Sequence, residues 1–173
     1  ASSEHLADAN INEPAFIGVA TASFIDGPWK RQANGGGKSS VKIRGGEIPH
    51  HRVLGIGSLK LIRPHWKHPD KLYALCNRLM IDLRTNHTTS RIGSIIPKNE
   101  EEWVIDNPSF ITPTYTTNSW NQDYVYGFDT LPNPYDDNQV LIYYNARKGR
   151  RFGYESIGVA LFQRKETSKD GQH

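Results

Sequence analysis

Asp123 and Glu155 are the carboxylates of this chain best placed for acid–base chemistry. Glu155 adjoins Tyr154 and lies close to Phe152, and a carboxyl among apolar neighbours holds its proton to higher pH, as a general acid must. Its alternative is a solvated ion pair with Arg150 or Arg151. Asp123 stands immediately before the strand-like run Tyr124–Asp129. Cleaving a glycosidic bond needs two carboxyls roughly 5–5.5 Å or 6.5–9.5 Å apart, and these two form the nominated catalytic pair. Arg78 and Arg147 each close a strand-like run, and their guanidinium forks suit a ligand's carboxylate or hydroxyls. Equally, each fork could tie its own loop to backbone carbonyls. Glu47, His51, Tyr124 and Trp120 complete the candidate substrate-binding set, the aromatic faces suiting a sugar ring or an apolar small molecule.

His50 and His51 beside Glu47, with His65 and His68 further on, raise the question of a metal. The His65–His68 spacing is short for a zinc site and no cysteine pair accompanies it, so solvated loop histidines and no metal are expected. Gly35-Gly36-Gly37-Lys38-Ser39 lacks the spacing of a phosphate loop and reads as a linker. Dinucleotide and Gly-x-Ser-x-Gly fingerprints are absent, and no cofactor is expected.

The elements that must position these residues are strands. Ile17-Gly18-Val19-Ala20, Ile92-Gly93-Ser94-Ile95 and Ile157-Gly158-Val159-Ala160 repeat one phrase. Such self-similarity is the mark of a repeat architecture. Ahead of the second and third copies lie two similar runs, Lys71–Arg78 and Val140–Arg147, each preceded by a further strand candidate, Gly57–Ile62 and Tyr124–Asp129. Turns rich in Pro, Asp and Asn separate them. The unit is a four-stranded antiparallel meander: a partial copy in 1–34, a connector in 35–54, full copies in 55–112 and 113–165, and a polar tail in 166–173. The fold class expected is all-β, a β-propeller with about two and a half blades, and the rival is a sandwich of eight to ten strands. A partial ring calls for a longer polypeptide, a homo-oligomer or an additional chain to complete the propeller.

Composition supports strands and loops. The 173 residues include 15 Gly and 10 Pro, with 36% hydrophobic and 23% charged residues. The net charge of +3 is carried by scattered basic residues, without the dense stripe of a nucleic-acid protein, so no nucleic-acid partner is expected. The single Cys76 excludes an internal disulfide and lies in an apolar run, as a buried thiol would. No apolar run reaches the ~18 residues of a membrane span, so no membrane partner is expected. Asn86-His87-Thr88 matches a glycosylation sequon and points to secretion, against the alternative of an unused triplet.

The assembled motifs resemble the five-bladed β-propeller glycosidases of the arabinosidase, xylosidase and fructosidase type. Ile17–Ser23 with Gly27-Pro28-Trp29 is similar to the end of such a blade, and Leu141–Tyr144 with Ile157–Ala160 to the middle of another. The resemblance covers most of residues 11–165 and concerns how a blade is built. It implies a carbohydrate bound at the channel mouth and hydrolysis by three carboxylates near the starts of innermost strands. Of those strand starts, Leu54–Ser58 has no carboxylate and Trp120–Tyr124 has Asp123 alone. The alternatives are therefore a non-catalytic lectin or assembly module, or a propeller enzyme turned to cyclisation or isomerisation of a small molecule.

Overall fold

A computed structural model describes residues 3–6, 11–14, 20–31, 42–62, 73–98, 102–115, 119–136, 138–149 and 153–163. Ile17–Val19 of the first phrase, the Gly35–Ser39 linker, His65, His68, Arg150, Arg151 and the tail lie outside them. The described residues are all-β, without a helix. β1 (Ser3–Leu6) and β2 (Ile11–Pro14) form one hairpin, and β3 (Ala20–Thr21) and β4 (Lys30–Arg31) another. The remaining strands form an open eight-stranded sheet: β5 (Lys42–Arg44), β6 (His51–Ile62), β7 (Tyr73–Asp82), β8 (His87–Pro97), β9 (Glu102–Ile111), β10 (Tyr124–Pro132), β11 (Gln139–Lys148) and β12 (Tyr154–Gln163). β5 and the start of β6 fall within residues 35–54.

β6 to β9 are successive antiparallel strands, as are β10 to β12. The two meanders meet at β8. One edge of β8 pairs with β7 along most of its length, while the other divides between β10, by a single parallel bridge at Ser90–Tyr124, and β9, from Ile92 onward. β8 is buried from Thr88 to Ile95, yet it opens with Thr88-Thr89-Ser90-Arg91. Buried polar groups need partners. The hydroxyls of Thr89 and Ser90 donate to the Asp123 and Val125 carbonyls at 2.9 Å each, and those of Thr88 and Tyr124 are 2.6 Å apart. Side-chain hydrogen bonds thus stand in for a backbone ladder where β10 departs from β8.

Two apolar clusters sit on opposite faces of β7 and β8. Leu75 and Ile92 pack against Val125, Phe128, Val140, Ile142, Tyr144 and Ala146, so the second meander lies face to face on the first. On the other face, Ala74, Cys76, Ile95 and Ile105 gather Ile43 of β5, Ile56 and Leu59 of β6 and Trp103 of β9. β5 extends β9 in parallel, Ile43 opposite Trp103. Strands at both ends of the β5-β9-β8-β7-β6 arc therefore close on one cluster, and the arc curls into a trough.

The glycine of the repeated phrase has a packing role in both described copies. Gly93 lies opposite Cys76, and a Cβ there would stand 3.1 Å from the Arg78 Cδ. Gly158 lies opposite Tyr144, and a Cβ would stand 2.5 Å from Trp120 and 2.6 Å from the Tyr144 ring. Each glycine leaves room for a long side chain of its neighbourhood to lie flat across the strand. With the phrase as anchor, Cys76 matches Tyr144, Arg78 matches Ala146, and Arg147 falls one residue beyond. A one-residue offset in a strand changes the face. Arg78 and Arg147, read from their runs as equivalent, therefore project from opposite faces of their meanders.

Candidate functional site

A cleft of about 670 Å³ opens in the trough of the first meander. Ile43, Ile56 and Ile105 form its apolar part, and Gly45, Glu47, His51, Arg52, Val53 and Arg78 complete the lining. It brings together three of the predicted binding residues, Glu47, His51 and Arg78. Sequence reading missed Arg52 and the isoleucines.

Arg78 is 1% exposed. Its Nη1 donates to the Gly46 carbonyl at 2.8 Å, and its buried Nε has no hydrogen-bond partner. Gly45 and Gly46 make this anchor reachable. Their φ values of 77° and 73° lie in the left-handed region, and a Cβ on Gly46 would stand 2.5 Å from Ile105. The glycine pair lets backbone lie directly on Ile105 and aim a carbonyl at the guanidinium, so the Gly45-Gly46 dipeptide was the available sequence signal. Burial pulls the Arg78 pKa below its ordinary value, while Cys76 and Glu47 push it back up and Arg91 opposes them. Arginine stays protonated nonetheless. Burial also raises the Cys76 thiol to about 11 despite the nearby Arg78 charge, so the thiol is neutral.

His51 lies on the wall with both ring nitrogens engaged. Nδ1 donates to the Pro49 carbonyl at 2.9 Å, and Nε2 accepts from Arg91 Nη2 at 3.3 Å. In this pattern Nδ1 is the donor and Nε2 the acceptor of the ring. Arg91, itself buried, also donates Nη1 to Ser109 Oγ at 2.9 Å and Nε to the Tyr115 hydroxyl at 3.1 Å. It braces the cleft from behind by linking β6, β8 and β9. Tyr115, at φ 55°, holds a strained backbone conformation beside it.

The other predicted residues belong to the second meander. Asp123 accepts the Gly149 amide at Oδ2, 2.7 Å away, and its own amide donates to the Arg147 carbonyl at 3.1 Å. The Arg147 guanidinium lies over the Tyr124 ring at 4.5 Å, with Nε and Nη2 lacking hydrogen-bond partners. Glu155 is exposed, opposite Arg147 on β11. The Tyr126 hydroxyl is held well above its ordinary pKa by burial, then by its hydrogen bond to Glu155 and that group's charge. Trp120 stacks on Tyr144 at 6.0 Å and 25°. None of these five, Asp123, Tyr124, Trp120, Arg147 or Glu155, lines the cleft.

Among the described residues no group of three His, Cys, Asp or Glu side chains could hold a metal ion. No helix of the described residues is long and apolar enough to cross a membrane. Comparison of the chain with protein-family models, curated proteins and solved structures finds no match.

Proposed function

We propose that this chain binds a small organic anion, a carboxylate on an apolar body, in the cleft of the first meander. The observation that carries this reading is Arg78, a buried guanidinium beside the cleft with one backbone acceptor and an unpartnered Nε. Burying a cation without an ionic partner costs several kcal/mol, and an incoming carboxylate offsets that cost. The isoleucines would take the apolar part of the ligand, and Arg52 at the mouth adds a second positive charge. Glu47 at the same mouth favours a ligand that also carries a donor, such as a hydroxyl or an amine.

The carbohydrate reading enters here as a question of ligand type. Hydrolysis requires a carboxyl on either side of the bond. Among the described residues that line the cleft, Glu47 is the one carboxylate and none is Trp, Tyr or Phe. Binding is thus favoured over turnover, and a sugar acid is the carbohydrate that suits the buried arginine. A propeller would in addition place a further meander against the outer face of β10–β12.

Thermal unfolding in the presence of octanoate, phenylacetate and galacturonate, each beside its neutral amide, tests the proposal. A carboxylate at about 100 times its Kd adds about 2.7 kcal/mol, which raises Tm by roughly 5–10 °C for a chain of this size. The amides should leave Tm unchanged. Equal shifts with acid and amide, or no shift with any acid, would refute the reading. A response to galacturonate alone would assign the cleft to a sugar acid.

A further inference from the structure

We infer that the ligand of the cleft is a free α-amino acid with a large apolar side chain, and that Glu47 selects it by holding its ammonium group. The inference rests on the anion reading of the cleft. It adds a second charge, of opposite sign, on the carbon next to the ligand's carboxylate.

The polar groups left for a ligand define it by elimination. Both ring nitrogens of His51 are engaged, Nδ1 with the Pro49 carbonyl and Nε2 with Arg91. The charged side chains of the described lining are then Arg52, Arg78 and Glu47. Arg52 is exposed, where water screens its charge. Arg78 and Glu47 therefore set the pattern, a buried cation and an exposed carboxylate in one cleft. Among the described residues neither has an ion-pair partner.

These two charges are nonetheless near enough to act on each other. Glu47 works against the effect of burial on the Arg78 guanidinium and helps it to keep its proton. A carboxylate seated on Arg78 thus lies in the field of Glu47, and like charges in a partly desolvated cleft repel. A ligand whose only charge is a carboxylate meets this repulsion in full. An ammonium on the adjacent carbon removes it, since the ligand's two charges then run opposite to those of the cleft. A hydroxyl in that place would donate a hydrogen bond without offsetting the charge, so the ammonium is the stronger complement. The remaining substituent meets Ile43, Ile56 and Ile105, which offer it no polar side-chain atom. Leucine, methionine or phenylalanine suits that floor, whereas serine, aspartate or lysine would bury a polar end unpaired. The cleft volume of about 670 Å³ is ample for such a molecule.

Isothermal titration calorimetry at neutral pH tests the inference with L-leucine and with 4-methylpentanoate, the same molecule without its ammonium group. Leucine should bind about tenfold more tightly, on the order of one charge-assisted hydrogen bond at an exposed carboxylate. Leucinamide, which keeps the ammonium and lacks the carboxylate, should not bind. Glu47→Gln should reverse the order: leucine weakens about tenfold, and 4-methylpentanoate tightens because its repulsion is gone. A damaged fold would weaken both together, so the opposite signs identify the role of Glu47. Leucine binding no tighter than 4-methylpentanoate would overturn this inference and leave the anion reading standing. Both ligands weakened alike by Glu47→Gln, or binding of L-leucyl-L-leucine without leucine, would overturn it too. So would a complete lack of leucine binding, with the octanoate shift then deciding the anion reading separately.

Discussion

Replacing Arg78 by methionine separates the two roles an arginine can have at this position. The substitution keeps an unbranched side chain of similar reach and removes the charge. It forfeits the Nη1 bond to the Gly46 carbonyl, a charge-assisted hydrogen bond worth about 1.5–3 kcal/mol. It also relieves the burial of a guanidinium whose Nε has no partner, and exchanging buried ionic groups for apolar ones of similar volume is neutral or stabilising by about 1–4 kcal/mol. The two contributions offset each other. Arg78→Met should thus unfold within about 1 kcal/mol of the wild type. Urea denaturation followed by far-UV circular dichroism gives the stability, and repeating it with the carboxylate that binds best gives the linkage. The variant should keep its midpoint without ligand and lose the ligand-induced shift. A loss above about 3 kcal/mol without ligand would make Arg78 a latch for the Gly45–Gly46 segment, and an undiminished carboxylate shift would remove the anion site altogether.

Two further perturbations probe the frame around the cleft. Gly158→Ala drives a methyl group into Trp120 and Tyr144, a stacked pair, and should cost about 1–3 kcal/mol. Gly93→Ala meets the Arg78 Cδ and the Asn107 carbonyl at 3.1 and 3.3 Å, and should cost less, because the arginine arm can shift. Equal costs, read from chemical denaturation, would contradict the aromatic explanation. Cys76 gives a pH window. Its folded pKa of about 11 lies above the thiol's ordinary 9.0, so folding favours the neutral thiol. The contribution is complete below pH 9 and is lost as pH rises towards 11, about 3 kcal/mol in all. Stability measured against pH should fall across this window in the wild type and less in Cys76→Ala. A parallel fall in both would show that another group titrates there.

The strand content was legible in residue order. Leu72–Cys76 and Val140–Tyr144 show the apolar runs of buried strands, and the described parts of both lie in β7 and β11. The Pro132–Asn138 stretch marks the β10–β11 turn through its Pro, Asn and Asp. Asn86 has a local reason to be asparagine, since it takes φ 55° in the β7–β8 turn, where few other residues are comfortable. Faces were harder to read. Arg78 and Arg147 end similar runs, but a period of two makes a one-residue misalignment exchange cleft for outer surface. Gly93 and Gly158 fix the correct register. Thr88-Thr89-Ser90-Arg91 carries no sign of burial, because its partners are carbonyls and hydroxyls more than 15 residues away in sequence. Glu47, His51 and Arg78 could be nominated by type, whereas Ile43 and Ile105 enter the cleft only through the pairing of β5 with β9.

That pairing also sets a clock on synthesis. Lys42 joins Glu102, so β5 leaves the ribosome about 60 residues before the strand that receives it. At roughly 5–20 residues per second, the delay is about 3–12 s. During it, the nascent chain holds β6 and β7 while Ile43 has no Trp103 and Gly46 has no Ile105 to rest on. The trough is therefore among the last features of the first meander to be completed, and a chain stalled before residue 102 would display Cys76 and Arg78 to whatever meets nascent chains.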